Sequence, residues 1–208
     1  MVIQVKKPVI PNVFFIVYKE MILMNYEEKT VSRRQIYQGN IIKVESLTVT
    51  LPDGRRATRD IVTHPGASVI LPLSENDELY MVRQFRKPLE MVSLELPAGK
   101  LDPGEDPQIC AERELKEETG LMAENIRHLV SIHTTPGFSN EVIHMYAATG
   151  LKEGDSCADE DEFITTERIP VKELVDMVLK GGITDAKSII GILMAEKIIR
   201  GDVDIKYK

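Results

Sequence analysis

The sequence predicts an α/β fold in which strands dominate the first half of the chain and helices close it. Three observations carry the prediction. Ala67 to Leu73 and Leu79 to Phe85 are apolar almost without a break, the pattern of strands covered on both faces in a mixed sheet. Ahead of them, stretches with β-branched content and partial alternation are separated by turn residues. Behind them, three segments carry helix-start signals or apolar residues at helical spacing.

Each element follows in order. Arg34 to Gln38 and Ile41 to Thr50 are the first two expected strands. Pro52-Asp53-Gly54 is a turn signal and folds the second strand back onto a third, Ala57 to Thr63. The two apolar runs come next, joined by the polar turn Ser74 to Asp77. Ser93 to Ala98 reads as a short strand running into a loop. Pro107 to Thr119 is expected to be a helix: Asp106 can cap its start, Pro107 suits a first turn where its missing N–H costs nothing, and Gly120 offers a left-handed stop. Strands are expected near Ile126 to Ile132 and Val142 to Ala147. A helix from Val171 to Leu179 follows Pro170. A last helix, Asp185 to Ile199, places Ile189, Ile190, Ile192, Leu193 and Ile198 at helical spacing, a packing face rather than a cofactor surface.

Composition narrows the function classes. The 208 residues are 43% hydrophobic and 28% charged, a globular balance for one ordinary domain with an appendage. A net charge of −7 excludes broad nucleic-acid binding, which needs a basic surface, so an anionic partner must be met by a few placed cations. The two cysteines, Cys110 and Cys157, have no metal-ligand spacing and suggest a reducing, cytoplasmic compartment. No apolar run is long enough to span a bilayer, and no membrane partner is expected. Val13 to Tyr18 is apolar and follows Lys6-Lys7, but prolines precede it, charges follow at once, and no small-residue cleavage site appears, so it does not read as a secretion signal. Residues 1–23 are read instead as a non-native or flexible extension. Lys19-Glu20 can be encoded by a purine-rich ribosome-binding sequence, which makes Met24 a candidate natural start.

The chemistry concentrates in the Pro107–Thr119 segment. Positions three and four apart share a helix face, which brings Glu114, Glu117 and Glu118 together. Three carboxylates on one stripe repel each other unless a cation sits among them, and all-oxygen donors suit Mg²⁺, with Mn²⁺ as the alternative. A solvated charged face is the plain alternative for an isolated run of this kind.

The wider segment GKLDPGEDPQICAERELKEETGL, Gly99 to Leu121, resembles the Nudix box over its full pattern: Gly99, Glu105, Arg113, Glu114, Leu115, Glu117, Glu118, Gly120 and Leu121. The surroundings, from about residue 30 to residue 200, resemble the bacterial ADP-ribose pyrophosphatases. Arg59 to Gly66, Met81 to Pro88 (the "VRQYRKP" strand of that family), Glu95 to Lys100, Thr134 to Glu141 with Pro136, Asp159 to Phe163 and Thr184 to Lys187 carry this likeness in the right order. Signature strings of the NADH and coenzyme A pyrophosphatases are missing.

The resemblance implies an α/β/α sandwich with a mixed central sheet over residues 61–208, preceded by an N-terminal antiparallel sheet over residues 24–60 that mediates a homodimer. It implies hydrolysis of ADP-ribose to AMP and ribose 5-phosphate, with two or three Mg²⁺ ions held by Glu114, Glu118 and the Ala98 carbonyl and assisted by Glu117. Arg113 and Glu105 would form a structural ion pair. Arg59, Arg86, Glu95 and Glu141 fall at substrate-side positions; Arg83, on the opposite face of its strand from Arg86, is the weaker contact. The general base would come from the acidic loop, Glu162 or Glu160. Tyr37 and Phe138 are the candidates for base stacking. Another nucleoside diphosphate derivative, a nucleotide sugar or a dinucleotide, is the alternative substrate. A non-catalytic nucleotide sensor would be expected to have lost box carboxylates that this chain retains.

Overall fold

The computed structural model describes residues 25–154 and 163–204. The proposed extension 1–23 and both candidate bases, Glu160 and Glu162, lie outside the described residues.

Ten strands and three helices are described. Strands β1 (Lys29–Gln38), β2 (Lys43–Thr50) and β3 (Arg56–Thr63) form an antiparallel sheet in that order. Strands β4 (Ala67–Pro72), β7 (Ala98–Lys100), β8 (Leu121–His133) and β9 (Val142–Glu153) form a second sheet in the order β7-β4-β9-β8. That sheet is mixed, because β4 runs parallel to β9 and the other pairs are antiparallel. The third sheet, β10-β5-β6, is built from β5 (Glu78–Arg86), β6 (Met91–Glu95) and β10 (Thr165–Pro170). The helices are α1 (Pro107–Thr119), α2 (Val171–Leu179) and α3 (Ala186–Ile199).

The period-two alternation of strands makes the mixed sheet the middle of a sandwich. On β4, Val69 and Leu71 enter one core with Leu174 of α2 and Ile192 of α3, while Ile70 between them enters another with Ala111 and Leu115 of α1. Strand β9 divides in the same way: Ile143 and Met145 face the α2–α3 side, Tyr146 and Ala148 the α1 side. This is the α/β/α arrangement. Its two helix layers are thereby fixed on opposite faces of one sheet.

Helix α1 has the predicted limits. Asp106 accepts hydrogen bonds from the N–H groups of Gln108 (2.8 Å) and Ile109 (3.4 Å), and Gly120 stops the helix at φ 70°. Other boundaries differ. The expected strand Ser93 to Ala98 is two strands in different sheets, with β6 paired to β5 and β7 to β4. Pro97 lies at the break, where it has no N–H for a ladder but its carbonyl accepts from the Ile70 N–H at 3.0 Å. Strand β1 starts five residues earlier than expected. All ten of its residues are exposed, so no buried face writes a pattern into it, and its pairing to β2 defines it. Strands β8 and β9 extend to Leu121 and Glu153 because their ladder continues through polar residues. Asp185, expected inside the last helix, is its cap.

The N-terminal sheet is tied to the sandwich through the 134–141 loop. The Val62 N–H donates to the Phe138 carbonyl (2.8 Å), the Asn140 N–H donates to the Val62 carbonyl (3.2 Å), and the His64 N–H donates to Asn140 Oδ1 (2.8 Å). No described helix is long and apolar enough to cross a membrane.

Candidate active site

Two of the three box carboxylates turn inward. Glu114 and Glu118, one helical turn apart on α1, are 8% and 9% exposed and face the start of β7. Glu118 Oε2 accepts the Ala98 N–H at 2.9 Å. Gly99 is required by close approach: a Cβ there would overlap the Glu114 carboxylate. The glycine that opens the motif therefore leaves room for the Glu114 carboxylate to pack against the β7 backbone.

Glu117 points to the rim. Arg113 donates through Nη1 to Glu114 Oε1 (2.7 Å) and Glu117 Oε2 (2.8 Å), and its Nε and Nη2 fork onto Glu105 at 3.0 and 3.1 Å. The ion pair expected from the resemblance is thus one part of a larger hub. The guanidinium is the cation between two of the three carboxylates. Glu105 raises the Arg113 value most, over the opposing effect of burial. The hydrogen bonds of Arg113 hold the Glu105 carboxyl at about 2, helped by the Asp102 N–H. Cys110, beneath this hub, is fully buried, and burial pushes its thiol up to about 11, so it is a packing residue.

Among the described residues, no three His, Cys, Asp or Glu side chains converge as a preformed metal cage. The residues present still fit a hard divalent cation. Buried carboxylates beside a bare glycine Cα offer oxygen donors, and two anions this close are stabilised by an added positive charge.

A cleft of about 620 Å³ lies beside this acidic wall; Arg86, Ala98, Gly99, Thr134, Glu141 and Lys187 are among its lining. Arg86 and Glu95 form a two-point pair, Nε to Oε1 at 2.8 Å and Nη2 to Oε2 at 2.7 Å. Glu95 is only 3% exposed and also accepts from Lys187 Nζ. Burial alone would raise its carboxyl; Arg86 and Lys187 override that and hold it at about 2. Glu141 accepts from Thr134 Oγ1 (2.6 Å) and lies 3.4 Å from His64 Nδ1. Arg83 bonds Glu167 of β10 instead of reaching the cleft.

Arg59 is not brought to this cleft. It sits on β3 of the N-terminal sheet, where its guanidinium pairs with Glu28 at 2.9 and 2.6 Å. Sequence reasoning assigned no role to Lys187 or Asp185. A signal was present in Lys187 itself: a lysine in the first turn of a helix opposes the helix dipole and needs a carboxylate partner.

The chain on either side of the acidic loop is anchored to the end of α1. The Gly154 N–H donates to the Gly120 carbonyl at 2.7 Å, and Thr166 Oγ1 donates to the Glu118 carbonyl at 3.0 Å.

Comparison with known proteins gives the family. Residues 62–190 match the NUDIX domain, and residues 28–62 match the nucleoside diphosphate sugar hydrolase N-terminal domain. The chain belongs to the Nudix hydrolase family, enzymes that cut phosphoanhydride bonds and use divalent metal. Among its relatives is the ADP-ribose pyrophosphatase of Bacillus subtilis (strain 168), 38% identical over 172 residues, 82% of this chain and 93% of that protein. The ADP-ribose pyrophosphatase of Mycobacterium tuberculosis is 35% identical over 182 residues, 86% and 88% of the two chains. The methanol dehydrogenase activator of Bacillus methanolicus is 41% identical over 169 residues, 80% and 91%. The solved structure of an ADP compounds hydrolase shares the fold at a TM-score of 0.76 and 22% identity, covering 85% of this chain and 96% of that one.

Proposed function

We propose that this enzyme hydrolyses the diphosphate of ADP-ribose to AMP and ribose 5-phosphate with Mg²⁺, or Mn²⁺ in its place. The observation that carries the reading is the cleft itself. Ala98 and Gly99 of its lining stand against the buried Glu118 and Glu114, and Arg86 lines it as a cation that feels the Glu118 charge. The pyrophosphatase names of the relatives from B. subtilis and M. tuberculosis support the substrate.

In this reading Glu114, Glu118 and the Ala98 carbonyl hold two or three ions, with Glu117 assisting from the rim. When bound, the metal neutralises the diphosphate and lowers the pKa of a water. Arg86 receives a phosphate oxygen pair, which suits its planar fork. Glu95 holds Arg86 in place, and Glu141 with Thr134 accepts hydroxyl donors of the sugar. Glu162, or Glu160 beside it, removes the proton of the attacking water. Arg59, outside the cleft of its own chain, meets substrate only from a second copy, which favours a homodimer joined through the N-terminal sheet of residues 24–60. The exposure of all ten residues of β1 supports that surface.

Purified protein with Mg²⁺ is expected to release AMP from ADP-ribose faster than from a nucleotide sugar or a dinucleotide, and chelation is expected to abolish release. In the same assay Glu162→Gln should lower kcat by about a hundredfold with the fold intact. Near-normal turnover in that variant moves the base to Glu160. Absence of AMP with both Mg²⁺ and Mn²⁺ overturns the proposal.

A further inference from the structure

We propose that Lys187 is a positioning residue of the cleft: it holds the Glu95 carboxylate, so that Glu95 presents Arg86 as a fixed fork to the diphosphate. This rests on the reading of Arg86 given above.

The argument begins with what Glu95 must satisfy. Its carboxylate is 3% exposed, so each oxygen needs a partner from the protein. Oε1 takes the Arg86 Nε–H; Oε2 takes both Arg86 Nη2 and Lys187 Nζ. Arg86 is the more exposed of the two cations, its side chain 36% accessible against 13% for Lys187. Both cations line the cleft, Arg86 as the more open of the two and Lys187 as the more covered, with the buried carboxylate held between them. Lys187 is itself shared with Asp185, so Arg86, Glu95, Lys187 and Asp185 form a chain of two cations and two carboxylates.

Lys187 is also unusually well aimed. It follows Ala186 in the first turn of α3, where the helix dipole disfavours a cation. Asp185, whose Oδ2 caps that helix through Ser188 N–H (3.0 Å) and Ser188 Oγ–H (2.6 Å), accepts Lys187 Nζ at 2.9 Å on the same oxygen. Ser188 Oγ in turn accepts the Leu96 N–H at 2.8 Å, one residue from Glu95. The start of α3 is therefore already bonded to the end of β6 without Lys187. The lysine adds a second, charged link between the two elements, and that link ends on the Glu95 carboxylate.

The test is a double-mutant cycle in steady-state kinetics, using the fastest substrate of the panel. Arg86→Gln should raise KM. Lys187→Met should raise KM by about tenfold, the scale of a lost charged hydrogen bond, with kcat changed by less than about threefold. Lys187→Arg should recover most of the loss. In the Arg86→Gln background, Lys187→Met should add nearly nothing, because the group it positions is gone. Thermal melting is followed in parallel. A raised KM in Arg86→Gln with an unchanged KM and lowered Tm in Lys187→Met makes Lys187 merely structural and overturns this inference alone. Independent, multiplying effects mean that Lys187 touches substrate itself, and overturn it as well. An unchanged KM in Arg86→Gln overturns both this inference and the reading of the cleft.

Discussion

Glu95 shows how one residue ties stability to the site. Its carboxyl lies at about 2 in the folded chain against an ordinary 4.5, so the folded form binds the proton less readily than the unfolded one. The resulting stability is fully present above about pH 4.5 and is lost as pH falls toward 2. Glu95→Gln is expected to lower the unfolding free energy near neutrality by on the order of 3 kcal/mol, since a shift of one unit is worth about 1.4 kcal/mol. The gap to the parent should narrow steadily through that acid window. Urea unfolding of both proteins at pH 7, 4 and 3 measures it; a gap that is constant with pH would show that the ion pairs around Glu95 contribute nothing. The position was read from sequence as a substrate-side residue. Its burial was not readable there, because a glutamate in a short strand gives no sign of which face is covered until the partner strands are known.

At the scale of elements, α1 was the most legible part of the chain, because its limits are written in local chemistry. Asp106, Pro107 and Gly120 each act within a few residues of themselves. Asp106→Ala should therefore cost about 1 kcal/mol, the usual worth of such a cap, seen as a lower Tm with the box carboxylates untouched. An unchanged Tm would mean that tertiary packing alone holds the first turn. The strands were less legible where long-range pairing decides. Strand β1 has no buried face, and the split at Pro97 depends on which sheet each half joins. The inward turn of Glu114 and Glu118 and the outward turn of Glu117 were equally hidden. All three lie within one helical turn, and only the neighbouring β7 and Arg113 separate them.

For the whole molecule, the sandwich places the cations of β5 and α3 on one cleft whose Ala98 and Gly99 adjoin the acids of α1, while Arg59 stays on the separate N-terminal sheet. Light scattering is expected to give twice the chain mass of 23.4 kDa. Mixing Arg59→Ala with Glu118→Gln subunits should restore part of the activity that each variant lacks. A monomeric mass, or no recovery on mixing, would return Arg59 to a surface role. The order of the family-like segments along the chain led from sequence to this site, but distances between elements such as β6 and α3 did not follow from it.

The two bonds that fasten Gly154 and Thr166 to the last turn of α1 have a consequence for that turn. Gly120 and Glu118 give their carbonyls to the chain just past β9 and to β10, so the helix terminus is braced from two strands at once. A displacement of either strand is therefore passed directly to the residue that carries a buried carboxylate.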